Sequence, residues 1–136
     1  MSGTASTQLA ALRNQRNAYG TELSPFFYEI SKERLQNYLN PQQQAIFDTV
    51  PKDVNFKLLQ KDARTITKQD FPEIDYIFTS PPYWDMLNMA GAENQAKRIK
   101  KGLPTTYSDS DKDLGNITDY KVFIEELVDV YRNLIQ

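Results

Sequence analysis

Ser80-Pro81-Pro82-Tyr83 is the stretch of this sequence best suited to hold a reacting group. Proline lacks an N–H donor and fixes φ, so two in succession make a stiff loop. Such a loop can aim a carbonyl and a side chain at one point. Ser80 Oγ and the Pro81 carbonyl are acceptors suited to a planar amino group. Tyr83 and Trp84 offer flat faces on which a base can stack. Pro-Pro-Tyr is equally an ordinary aromatic turn, or a linker and WW-ligand type of sequence. Here it follows Ile74 to Thr79, which reads as a buried strand, and a linker would not follow a strand so tightly.

Three further groups invite chemistry. Glu22 falls at the end of a short strand and just before a capped helix. A carboxylate there can accept from both hydroxyls of a ribose, as in dinucleotide-binding folds. It is equally an acid favoured by a helix N-terminus. Asp62, followed by Ala63, ends the second strand. It could accept from an adenine amino group, or serve as a polar turn residue. Lys97, Arg98, Lys100 and Lys101 form the dense basic cluster, suited to phosphate contact or to a solvated surface.

The elements that must position these groups are legible in outline. Thr4 to Gln15 has helical composition, and Ala18 to Leu23 reads as a buried strand. Ser24-Pro25 is a helix start, with Ser as N-cap and Pro at the first helical position. Phe27, Ile30, Arg34, Leu35 and Tyr38 follow a helical period to about Leu39, and Pro41 ends it. A connector over 40–52 has room for a helical turn around Ala45 to Phe47. Val54, Phe56 and Leu58 alternate with Asn55, Lys57 and Leu59 as in a strand. Ile74 to Phe78 is a third strand, which the prolines end. A helix is expected over Ala92 to Lys101, inside a long connection. Thr118 is the expected N-cap of the last helix, with Tyr120, Phe123, Ile124, Leu127, Tyr131 and Leu134 on its buried face. The alternation of helices and strands argues for an α/β sandwich with a mainly parallel sheet, and ligands bind such sheets at the carboxyl ends of the strands.

Composition narrows the chemistry. The chain has 136 residues, a length suited to one domain. It has no Cys and no His, which excludes disulfides, thiolate nucleophiles, His-assisted triads and ordinary zinc sites. The net charge is −2, unlike a dedicated nucleic-acid binder. The charge is uneven: from Tyr107 onward seven acids face only Lys112, Lys121 and Arg132. No apolar run approaches the ~18 residues of a membrane span. The start, Met1 to Gln8, is polar and uncharged, so no signal peptide is expected and the location is read as cytoplasmic.

The segment from Ile74 to Trp84 resembles the catalytic motif of the amino-group DNA methyltransferases. These enzymes methylate N4 of cytosine or N6 of adenine with S-adenosylmethionine (AdoMet). The Ser-Pro-Pro-Tyr form resembles the cytosine-N4 branch more than the adenine enzymes. Gly20 to Pro25, with Tyr28-Glu29-Ile30 and Glu33-Arg34-Leu35, resembles the strand-end acid and helix that hold the AdoMet ribose. Lys61-Asp62-Ala63 resembles the motif whose Asp binds the adenine ring. Ser2-Gly3-Thr4 looks like the tail of the glycine-rich AdoMet loop, with Leu9 to Arg16 as the helix behind it. Asp113 to Arg132 resembles the helix after the catalytic loop.

The resemblance implies an incomplete Rossmann-like methyltransferase sandwich over 1–136, its mainly parallel sheet lacking the first and last strands. The family places a strand before the glycine loop, between the strand ending at Glu22 and the strand ending at Phe78. A gap there leaves buried edges unpaired. The expectation is therefore a fragment of a larger domain, or half of a split enzyme completed by a second chain or by self-association. No separate target-recognition region is visible. The implied catalytic residues are Ser80, Pro81, Pro82 and Tyr83. Gly3, Thr4, Glu22, Leu23, Asp62, Ala63 and Thr79 would bind AdoMet. Tyr83, Trp84, Lys97 and Arg98 would touch the DNA. The implied enzyme needs no metal. Two alternatives stand beside it: a catalytically silent remnant that oligomerises or binds, and a methyltransferase of RNA or of protein glutamine.

Overall fold

The computed structural model describes residues 2–40, 53–84, 93–102, 108 and 110–135. The expected helical turn around Ala45 to Phe47 lies outside them. The chain gathers into two compact units, Met1–Thr79 and Ser80–Gln136. Among the described residues there are four α-helices and one parallel sheet of two strands.

The first unit holds α1 (Ser6–Arg13), β1 (Ala18–Glu22), α2 (Pro25–Leu39) and β2 (Phe56–Gln60). β1 and β2 pair in register from Ala18 opposite Phe56 to Glu22 opposite Gln60. Side chains alternate across a sheet, so Ala18, Gly20, Phe56 and Leu58 share one face. That face carries the core: Ala5, Leu9, Leu12, Ala18, Leu35 and Leu58, with Tyr28, Tyr38, Val54 and Phe56 packed around them. α1 and α2 both contribute to it. α1 approaches the sheet so closely that a Cβ on Gly20 would collide with the ends of Gln8 and Ser2. On the opposite face Tyr19 meets the Phe71 ring at 5.9 Å, and Lys57 Nζ lies 5.9 Å from the same ring.

Local chemistry explains the helix limits. Ser24 Oγ accepts from Phe27 N at 3.5 Å, and Pro25 opens α2 as its sequence requires. α1 is shorter than the expected Thr4 to Gln15. It starts after Ala5, whose φ of 61° breaks the helix, and stops at Asn14, whose amide caps Ala10 O at 2.8 Å. The buried stripe of α2 runs through Tyr28, Ser31, Leu35 and Tyr38. It is turned from the expected one, because Ser31 is fully buried with its hydroxyl donating to Gly3 O at 2.7 Å. Arg34 is exposed at its surface and donates to Thr4 O.

The expected third strand does not form. Ile74 to Phe78 enters no ladder with β1 or β2, and Ile74, Tyr76, Ile77 and Phe78 are all exposed. Strand propensity supplies the side chains but not a neighbour to pair with.

A short 3-10 turn, Ala63–Thr65, follows β2, and the chain then folds back along that strand. Asp70 is the centre of this return. Its Oδ2 accepts from Lys61 Nζ at 2.7 Å, Thr67 N at 2.7 Å and Thr67 Oγ1 at 3.0 Å, while Lys57 Nζ donates to its carbonyl at 2.6 Å. The hydrogen bond from Lys61 leads in lowering the Asp70 pKa from its ordinary 3.8 to about 2, followed by that from Thr67 N. A carboxylate depressed on folding stabilises above its ordinary pKa and loses that contribution as pH falls through the folded one. The stability difference between the native chain and Asp70→Asn is therefore expected to be constant above about pH 5 and to shrink between about pH 4 and 2. Urea unfolding across that range checks it. A difference independent of pH down to 2 would overturn it.

The second unit holds α3 (Glu93–Lys100), the 3-10 turn Leu114–Asn116 and α4 (Tyr120–Leu134). The observed α3 matches the expected helix within a residue at each end. The N-cap of α4 is Asp119, not Thr118. Asp119 Oδ1 accepts from Lys121 N at 2.8 Å and Val122 N at 3.0 Å, and a charged cap adds to the helix dipole. The buried face of α4 also differs. Phe123 and Val130 are buried and Leu127 and Leu134 half-buried, whereas Tyr120, Ile124 and Tyr131 are exposed.

Candidate functional site

Glu22 sits at the carboxyl end of β1, where the strand gives way to the N-terminus of α2. It is buried, and both its oxygens take backbone donors. Ser24 N donates to Oε1 at 3.1 Å, and Gly3 N donates to Oε2 at 2.7 Å. Gly3 lies just before α1 and Ser24 caps α2. The carboxylate therefore sits at the N-terminus of α2, where negative charge is favoured.

The loop that meets Glu22 is itself fixed. Gly3 has a φ of 55°, a conformation that glycine adopts without strain. Its N–H reaches Glu22 while its carbonyl accepts from Ser31 of α2. Ser2 Oγ donates to Thr21 O at 3.0 Å and accepts from Gln8 Nε2 at 2.7 Å. The Ser2 to Thr4 backbone is thus tied to β1, α1 and α2 at once. Gln8, Ser31 and Arg34 do this tying; sequence reasoning missed Gln8 and Ser31, and placed Arg34 on the helix without its partner. Each is a polar residue on a helix, and the partners of Ser31 and Arg34 lie 28 and 30 residues away, beyond any local pattern.

Asp62 stands two residues beyond β2, at the same end of the sheet. Its carboxylate caps the following turn, accepting from Arg64 N at 3.0 Å, and is gripped by the Arg64 guanidinium with Nη2 at 2.6 Å from Oδ2. It is a turn residue and an ion-pair partner. Lys61 N donates to Glu22 O at 3.1 Å, so the sheet ladder holds the two acid-bearing ends together. Leu23 and Ala63 flank these acids and are half-buried.

In the second unit, Ser80 is exposed, Pro81 and Pro82 are half-buried, and Tyr83 is 63% exposed. Tyr83 presents a free face. Trp84 does not. Its indole meets the Tyr120 ring edge-on at 5.2 Å, and Tyr120 continues to Phe123 at 6.5 Å. The row Trp84–Tyr120–Phe123 anchors the end of the Pro-Pro loop on α4. Trp84 also carries a φ of 53°, a conformation that costs a bulky residue about 1–3 kcal/mol. The indole expected to stack on a base is thus also held against α4. Its anchors, Tyr120 and Phe123, were legible only as an apolar stripe. Thr79, the last residue of the first unit, is half-buried.

Lys97, Arg98, Lys100 and Lys101 are exposed around the end of α3, which closes on Gly102 with a φ of 63°. Cations suit that end of a helix. Among the described residues, no group of three or more acids is arranged to hold a metal ion, and no helix is long and apolar enough to cross a membrane.

Comparisons with protein-family models, with curated proteins and with solved structures found no match for this chain.

Proposed function

We propose that this chain is the catalytic-core portion of a site-specific, AdoMet-dependent DNA amino-methyltransferase, with N4 of cytosine favoured over N6 of adenine as target. The observation that carries the reading is Glu22, a buried carboxylate fixed at the end of a parallel strand beside a glycine loop. This is a preorganised acceptor of the kind a ribose diol needs. The donor set suits the cofactor. Glu22 would accept from the ribose, Asp62 and Ala63 would lie at the adenine, and Gly3, Thr4, Leu23 and Thr79 would line the rest. Bound AdoMet supplies a methyl group on a sulfonium.

The chain's own residues would prepare the acceptor. An exocyclic amine is a poor nucleophile because its lone pair is delocalised into the ring. Ser80 Oγ and the Pro81 carbonyl would accept its two hydrogens and favour a more tetrahedral nitrogen. Pro82 keeps the loop stiff, and the exposed Tyr83 ring would stack on a base drawn out of the duplex. Lys97 and Arg98 would contact phosphate. Rate would come from orientation and electrostatics, with no His or Cys involved.

In the complete enzyme, Ser80→Ala is expected to lower methylation of DNA by at least about 100-fold, the scale seen when one preorganised polar contact is removed. AdoMet affinity, read by calorimetry, is expected to stay the same. Full methylation by the variant would overturn the role of Ser80.

A second reading is favoured by the exposed Ile74–Phe78 segment, since the loop it leads into is then not backed by a sheet strand. In that reading the chain is a silent binding module. Micromolar AdoMet binding by this chain alone would exclude it. Substrates in RNA or at a protein glutamine present the same planar amino group, and a methylation assay with each class separates them from DNA.

A further inference from the structure

α4 carries two apolar stripes, and one of them faces solvent. Phe123, Leu127, Val130 and Leu134 form the covered stripe. Ile124, Val128 and Tyr131 form the other, exposed by 37%, 38% and 37%, and the C-cap residue Ile135, 78% exposed, continues it past the helix end. Their spacing alternates four, three and four residues, which sets them along one side of the helix. A contiguous exposed apolar stripe on a helix marks an interaction surface.

The charges beside the stripe name the partner. Taking Ile124 and Tyr131 as the d positions and Val128 and Ile135 as the a positions, Glu125 and Arg132 occupy the two e positions. In an antiparallel pair of identical helices, a-type residues sit against d-type residues and e positions face e positions. Centred between Asp129 and Val130, such a pair sets Ile124 against Ile135 of the second copy and Val128 against Tyr131. The same register sets Glu125 against Arg132 twice, once on each side of the two-fold axis. The surface is therefore complementary to itself, as an isologous interface requires. Arg132 already holds Asp129 at 2.9 Å, and a guanidinium has donors enough to serve both acids.

We infer that the exposed stripe of α4 is a homodimer interface, formed by antiparallel pairing of this helix with the same helix of a second copy. This is separate from any pairing at the sheet edge and does not depend on the methyltransferase reading.

The test is sedimentation velocity on the chain over a range of concentrations. The native chain is expected to show a reversible monomer–dimer equilibrium that weakens with salt. Val128→Glu is expected to be monomeric with an unchanged circular-dichroism spectrum, because Val128 is exposed in the monomer. Glu125→Arg and Arg132→Glu are each expected to weaken the dimer about tenfold, by replacing two ion pairs with two like-charge contacts. The double variant Glu125→Arg/Arg132→Glu restores the pairs and is expected to recover native affinity. A native chain monomeric at all concentrations would overturn the inference. So would a Val128→Glu dimer of native affinity, or a double variant no tighter than the single ones.

Discussion

Leu35→Ala is expected to cost about 2–5 kcal/mol, a large fraction of the stability an ordinary domain has. Leu35 is 0% exposed and lies where α2 meets α1 and the sheet, in one cluster with Ala5, Leu9, Leu12, Ala18 and Leu58. Among the described residues that cluster serves a sheet of two strands. Deleting three carbons there leaves a cavity between two helices that Ser31 and Arg34 already hold to the Ser2 to Thr4 loop, and the site cannot collapse freely. Phe26→Ala makes the control. Phe26 opens the same helix but is 64% exposed, so its loss is expected to cost under about 0.5 kcal/mol. Urea unfolding of the two variants checks the contrast, and equal costs would show that the core lies elsewhere.

Glu22→Ala should be the second large effect, and it acts through polar contacts. The side chain accepts two backbone N–H groups, from Gly3 and Ser24, and hydrogen bonds to a charged acceptor contribute about 1.5–3 kcal/mol each. Water can reach the Gly3 donor in part, so the expected loss is about 2–4 kcal/mol. Glu22→Gln should fall between the native chain and Glu22→Ala. It keeps one acceptor but turns an amide N–H₂ toward the other donor. Thermal unfolding gives the order, and calorimetry adds the functional arm, where both variants are expected to lose AdoMet binding under the proposed reading. A Glu22→Gln protein as stable as the native chain would mean that the paired backbone donors do not need a carboxylate.

The readable parts of the fold are those set by neighbours in sequence. Ser24-Pro25 announces α2, the alternation of Val54, Phe56 and Leu58 announces β2, and Asn14 ends α1 through its own side chain. Partners far apart in the chain leave no such trace. Ser31 looks like a surface serine until its bond to Gly3, 28 residues away, is seen. The exposed apolar face of α4 looks like core, because periodicity reports that a face is apolar and not what covers it. Ile74–Phe78 fails for the same reason: strand character is local, but a ladder needs a second strand. At the site, the place of Glu22 was legible from the strand end and the cap. The engagement of Asp62 by Arg64 was within reach, two residues along, yet an acid and a base at that spacing have many other partners open to them. Trp84 could not be assigned from sequence, since its anchor Tyr120 is far along the chain.

The unpaired Ile74–Phe78 segment also bears on how this chain behaves in concentrated solution. Four exposed residues of high strand propensity, Ile74, Tyr76, Ile77 and Phe78, are the raw material of cross-β stacking between molecules. The surrounding sequence opposes that outcome. Pro72 precedes the segment and Pro81-Pro82 follow it, and proline cannot continue a ladder. Asp75, exposed within it, would place like charges one above another in any in-register stack. The stiff loop that would hold a reacting amine would thus double as a gatekeeper against stacking of the segment before it.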